Sequence, residues 1–174
     1  MIWRAFRRAS SPPDQDAAWW ADANAAATAI TADALQRLRA RLTASTRPQD
    51  DLERQEEMLD GLQLLLDTAS GPLPVVHTQH RVIGGDVCHL AVPATLAGDV
   101  DTPGKLFVTS ARLIFAGGRV QAWPWHRIRQ LVRAERRLAA SVPGAGDSLH
   151  ITCNSYGDAL VAAYIAGRVW QKPL

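Results

Sequence analysis

Lysine is almost missing from this chain. Of its nineteen basic residues, 2 are lysine and 17 arginine, and alanine is abundant. That imbalance reads as the coding bias of a GC-rich bacterial genome, not as function. Cysteine is nearly as scarce. Cys88 and Cys153 each lie inside an apolar run, which excludes a disulfide framework and a thiolate-rich metal centre. They read as two buried thiols of a reducing compartment. His89 and His150, the nearest imidazoles, have no second pair at ligand spacing. Aromatic residues are only 6% of the chain, yet six are tryptophan, at 3, 19, 20, 123, 125 and 170. Long apolar runs are absent as well. No window of about 18 residues is apolar enough to span a membrane. The basic start Met1-Ile2-Trp3-Arg4-Ala5-Phe6-Arg7-Arg8 lacks the apolar core and small-residue cleavage site of a signal peptide. The expected location is cytoplasmic, or peripheral at the inner face of the membrane.

Catalytic signatures are missing too. No G-x-S-x-G, Walker loop or H-E-x-x-H occurs. The five histidines are dispersed. His77 and His80, with Asp86 nearby, are the residue types of a metal pair, but they fall in a linker without helical spacing. Neither a metal nor a cofactor is expected, and a binding protein is favoured over an enzyme.

What is present suits one domain with an appendage, or two small domains. A hydrophobic content of 47% allows a real core. The net charge of +2 hides an asymmetry: residues 1–71 carry a net −3 and residues 72–174 a net +5. Two segments with different surfaces are implied.

Ser10-Ser11-Pro12-Pro13 is a breaker, after which Asp14 is a candidate helix cap. Residues 15–45 hold neither glycine nor proline and favour helix, with Ile30, Leu35, Leu38 and Leu42 near one stripe. Pro48 marks the entrance of a second helix over 49–69. There Leu52, Leu59 and Leu66 recur every seven residues, with Met58, Leu62 and Leu65 widening the apolar face. Asp50, Asp51, Glu53, Glu56 and Glu57 crowd its first turns, where the helix dipole favours them. An antiparallel hairpin is expected, its stripe covered by its own partner, by the following domain or by a second copy. Ser70-Gly71-Pro72-Leu73-Pro74 is the clearest linker.

Beyond it the apolar period falls to two. Strands are predicted at 86–96, 104–109, 112–116, 119–123, 128–134, 137–142 and 149–153. Thr109 is placed to bond turn backbone, and Gly104 and Gly117-Gly118 to supply turns with positive φ. Asn154, Ser155 or Asp158 opens a last helix to about Trp170. It is apolar nearly all round and so buried, closing the open end of the sheet. The fold class is α+β. A flexible basic N-terminus (1–13) precedes a helical hairpin (14–70) and a linker (71–85). A seven-stranded antiparallel β-barrel capped by a C-terminal α-helix (86–174) completes the chain.

The run Gly104-Lys105-Leu106-Phe107-Val108-Thr109-Ser110-Ala111-Arg112-Leu113-Ile114-Phe115 resembles the hairpin of GRAM domains, a branch of the pleckstrin-homology-like superfamily. That hairpin typically reads G-x-L-x-x-T-x-x-R-L-x-F. Trp125-His126-Arg127-Ile128 and the late strand running into a C-terminal helix fit the same pattern over about 86–170. The resemblance implies a barrel that contacts lipid head groups, membranes or proteins, and rarely catalysis. It carries over no ligand residue.

Three features are candidates for contact. Lys105, Arg112, Arg119, Arg127, Arg129, Arg133, Arg136 and Arg137 stand against one acid, Glu135, over 105–137. Arg127, Arg129 and Arg133 share strand parity, so one face would suit phosphate or carboxylate on an anionic lipid or a protein partner. The rivals are internal pairing and a merely solvated face. Trp123-Pro124-Trp125 is a contact patch if exposed and a corner pin if buried. Ile2, Trp3 and Phe6 would share one face of a short helix as an interfacial anchor, against the alternative of a frayed terminus. A homo-oligomer through 15–69 is a further reading. Nucleic acid is not favoured, because the net charge is small and aromatics do not interleave with the arginines.

Overall fold

The structure is a computed structural model and describes residues 13–45, 48–98, 100–144 and 149–171. Pro13 begins α1 (Pro13–Thr28), where a ring with fixed φ and no N–H suits the first turn. Trp19, Ala23 and Ala26 turn its buried side inward. The single helix expected over 15–45 is in fact two. Thr31 takes an extended conformation, φ −133° and ψ 152°, and its hydroxyl accepts the Ala34 N–H at 3.2 Å. That cap ends one helix and starts α2 (Ala32–Thr43), which buries Leu35 and Leu38. After Pro48, α3 (Gln49–Ala69) buries Met58, Leu59, Leu62 and Leu65. The N-terminal segment is therefore three helices, not a two-helix hairpin.

Seven antiparallel strands follow: β1 (Cys88–Leu96), β2 (Thr102–Thr109), β3 (Arg112–Ala116), β4 (Val120–Pro124), β5 (Gln130–Ala134), β6 (Arg137–Ser141) and β7 (Leu149–Cys153). Their order in the sheet is β4-β3-β2-β1-β7-β6-β5. The sheet is not closed, which corrects the expected barrel: β4 and β5, neighbours in sequence, form its two edges. A 3₁₀ turn, Trp125–Arg127, joins those edges. It also shortens β5, predicted to start at 128, because Ile128 is drawn into the core.

The pairings Leu106↔Phe115 and Val108↔Leu113 set the inner face, and Phe107↔Ile114 the outer. Gly104 has an ordinary φ, so its expected role as a left-handed turn is corrected. Its reason is space: a Cβ there would lie 2.4 Å from the Ala116 carbonyl oxygen. Gly117-Gly118 likewise turns the chain without positive φ.

Ser155 caps α4 (Tyr156–Trp170), its hydroxyl accepting the Asp158 N–H at 2.9 Å. The helix is apolar nearly all round because it is covered on two sides. It packs against β1, β2, β5, β6 and β7, and also against α3. At the α3 crossing two glycines meet. A Cβ on Gly61 would lie 2.6 Å from Gly157 Cα, and one on Gly157 2.5 Å from the Glu57 carbonyl oxygen. Arg168 of α4 donates to the carbonyls of Thr68 and Gly71 at 3.0 and 3.1 Å, placing a cation at the C-terminal end of α3. The helical segment and the inner sheet face thus share one apolar core, from Trp19 to Val169.

The segment 71–85, expected as a linker, is a packed strap. Leu73 enters the main core. The Val76 N–H bonds the Cys88 carbonyl at 2.8 Å. Ile83 joins Cys88, Phe107 and Ile114 in a second cluster on the outer sheet face, with Val76 and Val82 against it.

Candidate functional site

The site is built outward from Thr109, at the end of β2. Its fully buried hydroxyl accepts the Arg112 N–H at 3.0 Å. It lies 2.8 Å from the Arg112 carbonyl and 3.0 Å from Asp86 Oδ2, with one hydrogen to donate between them. Asp86 also accepts from Arg112 Nε at 2.8 Å, and the guanidinium donates on to the Ile83 carbonyl. One threonine therefore ties the β2–β3 turn, the strap and the Asp86–Arg112 ion pair together. Trp125 closes the same corner, its indole N–H donating to the Thr109 carbonyl at 2.9 Å and its backbone N–H to the Ala111 carbonyl at 3.2 Å. His89 donates from Nδ1 to the Pro74 carbonyl at 2.8 Å.

Around this frame runs an open groove of about 730 Å³. Its apolar wall is Ala111, Pro124, Trp125, Val169 and Trp170. Its polar side is the Asp86–Arg112 pair with His89, Ser110 and His126. Arg127 and Arg129 follow His126 in the chain and are exposed. An apolar wall beside fixed polar groups is the composition of a site that holds a ligand by shape and orients it by a few bonds.

The eight candidate cations do not form one face. Arg112 is spent on Asp86. Arg133 is half-buried and donates to Asn24 Oδ1 and, at 3.2 Å, to the Glu135 carbonyl. Arg136 donates to the Asn154 carbonyl at 3.1 Å and sits 5.8 Å from the Tyr156 ring centroid. The shared parity of Arg127, Arg129 and Arg133 does not make a positive strand face, because Arg127 belongs to the 3₁₀ turn, Arg129 precedes β5 and Arg133 reaches Asn24 of α1. Lys105, Arg119, Arg127, Arg129 and Arg137 are exposed, and their side chains make no hydrogen bond or ion pair among the described residues. They are divided: Lys105 pairs with Ala116 near the β3–β4 turn that carries Arg119, while Arg127 and Arg129 lie at the other end of β4.

Trp123 and Trp125 are 8% and 7% exposed, so both are mostly buried at this corner, with part of Trp125 left to line the groove. Ile2, Trp3 and Phe6 lie outside the described residues. Burial pushes the Cys153 thiol up to about 12, with the Asp158 charge adding to it, and pushes Cys88 up as well. Both thiols are therefore protonated at neutral pH. His80 stacks on Phe107 with ring centroids 5.0 Å apart, and no group of three metal-ligating side chains occurs among the described residues. Sequence reasoning missed the groove's His89, Ser110 and Trp170. Trp170 was in view only as the end of a helix, and nothing in its neighbourhood marked it as a wall.

No family model matches this chain, and no curated protein does. Solved structures resemble it at low similarity. The C-terminal domain of an unknown protein from Leishmania infantum is 14% identical with a TM-score of 0.44, over 52% of this chain and 90% of that one. The FERM and C-terminal domain complex of Drosophila Merlin is 11% identical with a TM-score of 0.33, over 95% of this chain and 63% of that one. The DH/PH domains of p115-RhoGEF are 9% identical with a TM-score of 0.37, over 93% and 57%. Superpositions this loose carry no argument about function. The architecture is seven antiparallel strands in an open sheet, then a C-terminal helix packed against it. No helix among the described residues is long and apolar enough to cross a membrane.

Proposed function

We propose that this chain is a non-catalytic binding module, related to GRAM domains through its 104–115 hairpin, that docks on a protein partner presenting apolar and acidic side chains. The observation that carries it is the groove walled by Trp125, Val169 and Trp170, with unpaired Arg127 and Arg129 beside it. The interior of the sheet is filled by its own side chains, among them Leu106, Val108, Leu113, Phe115, Leu138 and Ile151. Work is left to the outside. A flat anionic membrane is served best by coplanar cations, and the five unpaired ones are divided, with Lys105 and Arg119 near one end of β4, Arg127 and Arg129 near the other and Arg137 on β6. A shaped protein surface tolerates that division and uses the groove as well.

The test is a peptide array in which Asp and Glu alternate with Leu and Phe, read beside sedimentation with phosphatidylserine vesicles. Retention on the acidic–apolar peptides is expected to fall with salt. It should be lost in Arg127→Glu/Arg129→Glu and weakened in Trp170→Ala. Sedimentation with vesicles in the absence of peptide retention replaces the protein partner by a membrane. Failure in both arms removes the proposal.

A further inference from the structure

A second cavity, of about 390 Å³, lies where α1 and α3 meet the end of β5 and the start of α4. It is lined by Trp20 and Asn24 of α1, Arg54 of α3, Arg133 at the end of β5 and Tyr156 at the start of α4. Three guanidinium groups gather about the Tyr156 ring. Arg54, paired with Asp51, lines the cavity beside Tyr156. Arg136 covers the ring, and Arg133 lines the same cavity. Trp20 packs on Tyr156 with centroids 4.8 Å apart and forms an aromatic floor.

Arg133 is the informative residue. It is half-buried, yet its hydrogen bonds go only to neutral acceptors, the Asn24 amide oxygen and the Glu135 carbonyl. The turn that presents that carbonyl holds Glu135 at φ 53°, the one described non-glycine residue with positive φ. No carboxylate among the described residues pairs with Arg133, whereas Arg41, Arg54 and Arg112 each hold an aspartate. A guanidinium stays charged in proteins. Withdrawing one from water without an opposite charge is costly, so native structures supply one. Burial lowers the Arg133 pKa, with no nearby anion opposing it. Two acids do line the cavity. Asp16 is engaged by the Gln55 amide at 2.9 Å, and Glu135 is an exposed turn residue. They favour a small anion over a polyanion.

We propose that this cavity binds a small oxoanion, a phosphate or carboxylate group, through the Arg133 guanidinium above the Trp20–Tyr156 floor. The site is distinct from the groove, and its ligand would join the helical segment to the sheet. The planar fork of arginine matches two oxygens of either anion.

The experiment is an NMR titration of the full chain with inorganic phosphate in one arm and acetate in the other, at constant ionic strength, following the Trp20 indole and Arg133 Nε–H signals. Saturation of both signals by about ten millimolar in at least one arm is expected. The arm that saturates tells phosphate from carboxylate. Arg133→Met is expected to weaken binding roughly tenfold, and Arg133→Lys less. Arg37→Met, on exposed α2, should leave it unchanged. Thermal melts without ligand establish that each variant is folded. If Arg133→Met unfolds, the Arg133→Lys titration decides. Shifts that stay linear with concentration, or that are equal in the folded Arg133 variants and wild type, overturn the proposal. Either result leaves the groove proposal standing, since no groove residue is involved.

Discussion

Thr109 organises more of the molecule than its size suggests. A buried hydroxyl that serves the Arg112 backbone and reaches Asp86 links three pieces of chain. Thr109→Val keeps the shape and deletes the oxygen, leaving the Arg112 N–H short of a partner and Asp86 Oδ2 with Arg112 Nε alone. Such a buried loss costs about 1–3 kcal/mol. Thr109→Ser keeps the oxygen and should lose less than half of that. Urea denaturation of the two variants checks the difference, and equal losses would mean that the methyl group, not the hydroxyl, matters. The role of Thr109 was legible in the sequence because a threonine before Ser110-Ala111 between two alternating runs has turn backbone within reach. Its reach to Asp86 was not, because that contact depends on the strap lying over the outer face.

At the scale of elements the decisive contact is the crossing of α3 and α4. Glycine in a helix interior costs about 1 kcal/mol relative to alanine. Gly61 and Gly157 are kept where the two backbones need the space. Gly167, in the same helix as Gly157, has nothing within 4 Å of its absent Cβ and serves as the control. Gly157→Ala is expected to destabilise the protein, because overpacking of about 1–3 kcal/mol exceeds the propensity gain. Gly167→Ala is expected to stabilise it by about 0.5–1 kcal/mol. Calorimetric melting of the pair checks the opposite signs.

Strands were the legible elements. In β3 the alternation of Leu113 and Phe115 against Arg112, Ile114 and Ala116 follows from one face being the main core, and its predicted bounds match the structure. The break at Thr31 was hidden by a uniformly helical composition, which a single side-chain cap overrode. The strap was hidden by its prolines and glycines, although Val76, Val82 and Ile83 carried the apolar signal of a packed segment. The Gly61–Gly157 contact joins residues almost a hundred positions apart, and no local pattern announces it. The same holds for the candidate cations: their identities are in the sequence, but which of them are spent on Asp86, Asn24 or Asn154 depends on the fold.

For the whole molecule, the packing decides whether the back half is a unit. α4 offers one side to the sheet and another to α3, and the apolar core runs through both without a seam. The charge asymmetry of the chain suggests two bodies, but the buried surfaces describe one. A fragment spanning 86–174 would bare the α3-facing side of α4, where Gly157 and Val161 lie. It would also uncover Phe107 and Ile114, which the strap covers in the whole chain. Exposed apolar surface of that extent promotes association. The fragment is therefore expected to aggregate or to bind a hydrophobic dye. The full chain should run as a monomer in light scattering, since the apolar stripe of α3 is already covered and leaves the 15–69 segment little with which to pair. A soluble fragment with a dispersed amide spectrum would make the helices an appendage. A fragment that recovers its spectrum when residues 1–85 are added as a separate chain would show that the helices complete the fold, as the shared core implies.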